Sequence, residues 1–174
     1  MINPLTYLRD SPATRPDDAL RALAASVAGG DPLDRAHRLS GAISDRIAFR
    51  PGVTQTGTTA AQALALGEGV CQDHTHALTA IARLSGMPAR YVSGYLHSTL
   101  DGKAHDAAHA WAEIHVPGLG WVGFDAANRC CPDERYVRLG SGLDAADAAP
   151  IRGVAMGSGT EDMDVTVRVE EMAQ

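Results

Sequence analysis

The chain has 174 residues, 45% of them hydrophobic and 21% charged, which is enough for one folded unit with a sizeable core. Its net charge of −6 argues against nucleic acid or an anionic membrane as a main partner. Residues 1–9 lack the apolar stretch of a secretory leader, no apolar run is long enough to span a bilayer, and three cysteines do not make a disulfide framework. These features predict a cytoplasmic protein, the reducing compartment that suits a reactive thiol.

In chain order, Arg15-Pro16-Asp17-Asp18 opens a helix to about Ala28, and Gly29-Gly30 ends it. Asp31 or Asp34 opens a second helix, to about Ile47. Residues 49–57 read as loop, and Thr58 caps a short helix to about Leu66. A helix from Cys71 to about Ser85 follows, with Leu78, Ile81, Ala82 and Leu84 as its buried stripe and Gly86-Met87-Pro88 as its stop. A strand from Ala89 to His97, a polar loop from Ser98 to Ala107 and a hairpin come next. Tyr136–Leu139 and Val165–Val169 read as further strands, separated by a turn-rich stretch from Ala145 to Gly159. Helices first and antiparallel strands later predict an α+β fold, with the N-terminal helices packed on an antiparallel sheet.

Three residues carry the chemistry. Cys71 stands in Gly69-Val70-Cys71-Gln72-Asp73-His74, at a helix start. There the unpaired N–H groups and the macrodipole stabilise a thiolate. His109 lies in the alternating run Ala108–Val116, and Asp125 ends the run Gly120–Asp125. Residues paired across an antiparallel ladder share a face, so odd positions must pair with odd ones. A two-residue turn would break that parity. An odd-length loop or a bulge keeps it; with Gly118 at the centre, His109 lies opposite Ala127 and Asp125 is one diagonal step away. Cys71, His109 and Asp125 are therefore candidates for nucleophile, base and orienting carboxylate.

Three blocks resemble the transglutaminase-like superfamily, and most closely its small bacterial cysteine peptidases. The first runs from Thr58-Thr59-Ala60-Ala61 through Gly69-Val70-Cys71-Gln72-Asp73 to His76. The second is Gly86-Met87-Pro88-Ala89-Arg90-Tyr91-Val92-Ser93-Gly94-Tyr95. The third runs from His109-Ala110-Trp111 through Gly120-Trp121-Val122-Gly123-Phe124-Asp125 to Asp133-Glu134-Arg135-Tyr136-Val137. They occupy about residues 55–155 of what is expected to be one catalytic domain over residues 1–174. The resemblance implies a papain-like, transglutaminase-core fold without the N-terminal β-rich domain of relatives. It gives Cys71, His109 and Asp125 the roles of nucleophile, base and orienting carboxylate. It implies no cofactor, a peptide or protein substrate, and hydrolysis of amides, with protein-glutamine acyl transfer or a non-catalytic binding role as alternatives. The chain departs from the family at His74, where an aromatic is usual. It departs again at Ala126-Ala127-Asn128, where Pro-Thr-Asn is usual, and at Arg129-Cys130-Cys131-Pro132.

Other residues receive plainer readings. His74 and His76 point apart on their helix, so no metal site with Cys71 is expected, and His76 is expected to hydrogen-bond within the fold. Cys130-Cys131 has no second pair at zinc spacing and reads as incidental. Trp111 and Trp121 read as walls near the cleft, Glu113 as a solvated strand residue, and Asp106 as part of the cleft mouth. Asp144, Asp147, Glu161, Asp162 and Asp164 are too scattered for a calcium loop.

Overall fold

A computed structural model describes residues 2–97 and 108–151. The order of elements is a 3-10 turn (Pro4–Leu8), α1 (Asp18–Ser26), α2 (Pro32–Arg46), β1 (Ala48–Phe49), α3 (Ala60–Leu66), β2 (Glu68–Gly69) and α4 (Cys71–Leu84). Then come β3 (Ala89–Leu96), β4 (Ala108–Val116), β5 (Gly120–Phe124) and β6 (Tyr136–Gly142). The architecture is α+β, as expected. The expected loop at 98–107 and the strand at 165–169 lie outside the described residues.

Side chains that satisfy the free N–H groups set the helix starts. Asp17 accepts from Leu20 N–H. Asp31, not Asp34, opens α2, accepting from Leu33 and Asp34 N–H ahead of Pro32; Asp34 instead pairs with Arg38 one turn on. The cap of α3 is Thr59 and not Thr58. Thr59 forms a reciprocal capping box with Gln62, while Thr58 Oγ1 accepts from Gln55 N–H. Two adjacent threonines are equally able to cap, and the glutamine three residues on selects the second.

Residues 48–49, read as helix end and loop, pair in parallel with Glu68–Gly69. Two residues are too short for any hydrophobic period to announce them. This small ladder brings the end of α2 beside the segment leading into α4.

The main sheet has the order β5-β4-β3-β6, antiparallel throughout. The hairpin keeps the expected parity, with Ala112 opposite Phe124 and Val116 opposite Gly120, and the loop Pro117–Leu119 is centred on Gly118. β6 joins at the far edge, beside β3. Gly94 in β3 makes room for that junction: a Cβ there would stand 2.1 Å from the Val137 carbonyl and 2.7 Å from the Trp111 ring.

α4 is the axis of the fold. Its Leu78 and Ile81 lie in one core with Leu20 and Leu23 of α1, Leu39 and Ile43 of α2, and Ala112, Ile114 and Phe124 of the sheet. Every residue from Asp73 to Arg83 is buried. The expected one-sided stripe is therefore incomplete, because helices and sheet enclose the whole circumference. The buried polar residues need partners. The His74 ring nitrogens lie 2.9 and 2.8 Å from the Val70 and Ile47 carbonyls. Arg83 donates to the carbonyls of Tyr7, Ala89 and Leu143 and to Thr14 Oγ1, tying the 3-10 turn, β3 and the segment after β6 to α4. Burial lowers its guanidinium to about 10.

Candidate active site

The first turn of α4 is built by its own acid. Asp73 Oδ2 accepts from Val70 N–H at 2.8 Å and from the Thr54 hydroxyl at 2.6 Å. The carboxylate folds back over Gly69, where a Cβ would lie 2.7 Å from it, so only glycine permits this closure. Cys71 is the first residue of the helix and is half-buried. Its N–H has no intrahelical acceptor by the geometry of a helix start.

His109 sits near the start of β4 and is 5% exposed. Its Nε2 lies 2.6 Å from Asp125 Oδ2, and the Cys71 thiol is near enough to the ring to favour its charged form. Trp111 stacks on it at 6.3 Å between centroids. Burial opposes a charge on the ring, but the bond to Asp125 and the nearby Cys71 outweigh burial and raise His109 to about 9.

Asp125 is held by a loop of unusual tightness. Its backbone exchanges both hydrogen bonds with Cys130, and Arg129 between them is left-handed, with φ +55°. Arg129 reaches Asp45 and the Ser44 carbonyl, and Ser44 Oγ donates to the Ala126 carbonyl at 2.6 Å, so the end of α2 pins the loop. The ladder with β4 stops at Phe124, and the chain turns away toward Cys130 instead of continuing to Ala127. Oδ2 accepts from His109, from Asn128 Nδ2 at 2.8 Å and from the Tyr136 hydroxyl at 2.8 Å; Oδ1 accepts from Asn128 N–H at 3.0 Å. Burial pushes the carboxyl up, and these bonds more than reverse it, leaving it below its ordinary value.

In the sequence Tyr136 stands in the third block and Asn128 in the segment that departs from Pro-Thr-Asn, neither with an expected role. Asn128 has a local signal, since Asp-x-x-Asn favours a side-chain turn. Tyr136 has none, because its place depends on β6 pairing with β3. It also meets Trp111 edge-on at 5.3 Å, and Cys130 Sγ lies 3.3 Å from its hydroxyl. Cys130 is thus attached to the Asp125 network and is not incidental.

The remaining candidates separate. Trp111 backs His109, whereas Trp121 packs on Tyr7, His115 and Arg90, away from Cys71. Glu113 is not free in solvent but bridges Arg90 and Arg138. His76 Nε2 accepts from Ala145 N–H at 3.1 Å, as a fold contact, and burial lowers it to about 4, so it is neutral near pH 7. Asp106 lies outside the described residues. A cleft of about 770 Å³ opens over Cys71 and His109, walled by Tyr91, His76, Ala110 and Ala145. A nucleophile, a base and an orienting carboxylate in that order can perform acyl transfer.

The transglutaminase-like superfamily matches residues 21–126, and the chain belongs to it. The protein ML0607 of Mycobacterium leprae is 35% identical over 136 residues, covering 74% of this chain and 47% of the relative. A solved structure of a candidate cysteine protease from Cytophaga hutchinsonii superposes with a TM-score of 0.72 at 28% identity. It covers 83% of this chain and 48% of the other. A protein-glutamine gamma-glutamyltransferase of Pseudomonas aeruginosa is 31% identical over 84 residues, 45% of this chain and 12% of the relative. The chain thus spans about half the length, or less, of the curated relatives it matches. Among the described residues no helix is long and apolar enough to cross a membrane.

Proposed function

We propose that the protein is a cysteine-dependent amidase or peptidase, with Cys71 as nucleophile, His109 as acid and base, and Asp125 as the carboxylate that orients and charges the imidazole. The observation that carries this reading is the position of His109, bonded to Asp125 and lining one open cleft with Cys71. Cys71 Sγ forms a bond to the carbonyl carbon as the π pair moves to oxygen. Collapse breaks the C–N bond, and the imidazolium proton goes to the departing nitrogen. A thioester remains. Neutral His109 then takes a proton from water, the hydroxyl adds to the carbon, and the C–S bond breaks to restore the thiolate–imidazolium pair. Peptides or proteins are the substrates this reading implies.

Likeness to the glutamyltransferase favours one second reading, in which an amine and not water resolves the thioester. The residues are the same for both. Mass spectrometry of a peptide library incubated with the protein, with and without an added primary amine, tests both. Cleavage or deamidation supports the first, amine incorporation the second. An unchanged library with no adduct on Cys71 overturns both.

A further inference from the structure

An acyl-transfer site needs preorganised donors at the carbonyl oxygen, because charge develops there as the nucleophile adds. The N–H of Cys71 is one. We propose that the Tyr91 hydroxyl is another, donating to the same oxygen. This rests on the acyl-enzyme reading above.

Tyr91 lies on β3 directly opposite Ala112, so the two share a sheet face. Ala112 belongs to the core built around α4, and the Tyr91 ring therefore projects toward the helix that Cys71 begins. Cys71 packs against the cluster of Tyr91, Ala110 and Ala148. Tyr91 also lines the cleft beside Cys71 and His109. The residue is buried, but its oxygen is not among the buried side-chain atoms left without a partner; with no hydrogen bond to it among the described residues, the hydroxyl opens onto the cleft that Tyr91 lines. A tyrosine hydroxyl enclosed by polar side chains pairs with them. Tyr136 shows the ordinary case, with Asp125 and Cys130 both at its oxygen. An unpartnered O–H facing the cleft beside the nucleophile is a donor awaiting an acceptor.

The donor is also held in place. His76 lies 5.1 Å from the Tyr91 ring, and His76 is itself fixed by Ala145 N–H. The ring does not have to reorganise when the oxyanion forms, which is what makes such donors effective. Burial, with Cys71, Asp73 and Asp144 adding to it, pushes the hydroxyl above its ordinary range. It keeps its proton wherever the enzyme works.

The variant Tyr91→Phe removes the O–H and keeps the ring. Two reactions at Cys71 are compared: single-turnover acylation by an activated ester, which passes through an oxyanion, and alkylation by iodoacetamide, which does not. The expected result is acylation slowed about 100-fold and alkylation unchanged. Unchanged acylation in the variant overturns the assignment. Loss of both reactions to the same degree also overturns it, since Tyr91 would then be holding the thiol. Failure of the wild type itself to be acylated, with alkylation intact, sinks the amidase reading and this one with it.

Discussion

Replacing Asp125 by Asn tests the core of the proposed mechanism, and the geometry fixes the expected size. Three groups point at Oδ2 and one N–H points at Oδ1. An amide has one oxygen. If that oxygen takes the Oδ2 place, its NH₂ faces the Asn128 N–H; if it is flipped, the NH₂ faces His109 and Asn128 Nδ2. Either pose sets donor against donor, at a cost of about 1–3 kcal/mol. The electrostatic loss is separate. His109 stands at about 9 against an ordinary 6.5, which corresponds to roughly 3 kcal/mol favouring the charged ring. Because the folded value is raised, this stabilisation is complete below pH 6.5 and is lost as pH rises through about 9. Without the carboxylate, burial is left with less to oppose it, and His109 falls to its ordinary value or lower. At pH 7.5 the imidazolium fraction then drops from nearly all to about a tenth or less. A cysteine system depends on that ion pair before substrate arrives, so acylation should slow roughly 10- to 10³-fold. Single-turnover acylation by an activated ester reads the rate, and circular dichroism confirms folding. An unchanged rate in a folded Asp125→Asn protein removes Asp125 from the mechanism. Persistence of the wild-type fall in stability between pH 6.5 and 9 in that variant would refute the linkage argument.

Iodoacetamide at pH 6, followed by peptide mapping, should label Cys71 first, because burial pushes the Cys130 and Cys131 thiols up; faster labelling of either neighbour contradicts the nucleophile assignment. Arg83→Met strands the acceptors of Tyr7, Thr14, Ala89 and Leu143, and urea unfolding should show a loss of about 3 kcal/mol or more. A loss under about 1 kcal/mol would mean that water replaces the guanidinium. Gly94→Ala drives a methyl into the Val137 carbonyl and the Trp111 ring. The expected outcome is a lower midpoint of unfolding with altered tryptophan fluorescence, and a variant as stable as wild type would show that β3 and β6 separate easily.

The sequence by itself determined what depends on neighbours along the chain. The start of α4 at Cys71 follows from the glycine before it and the apolar run after it. Pairing parity placed the hairpin register from Ala112–Phe124 to Val116–Gly120, because the two strands are consecutive; the expected continuation to His109 opposite Ala127 does not form, and Asp125 reaches His109 from the turn it makes with Cys130. Helix boundaries fell within a residue or two, and the α3 cap lies one residue later than expected because Gln62 completes a capping box with Thr59 and not with Thr58. Only the tertiary structure decided which distant segments meet. Nothing in a strand's own periodicity states which sheet edge it joins, so the insertion of β6 beside β3, and hence Tyr136 on Asp125, was not legible. The same holds for the contacts of Arg83 with the Tyr7 and Leu143 carbonyls and of His74 with the Ile47 carbonyl, invisible in side-chain patterns and brought close only by packing. α4 reads as a one-sided helix because its polar residues suggest a wet face. That face is dry because three helices and a sheet surround it, and its polar groups are paired across the fold, as His74 is with Ile47 and Arg83 with Leu143, or, like Thr79 Oγ1, have no partner among the described residues.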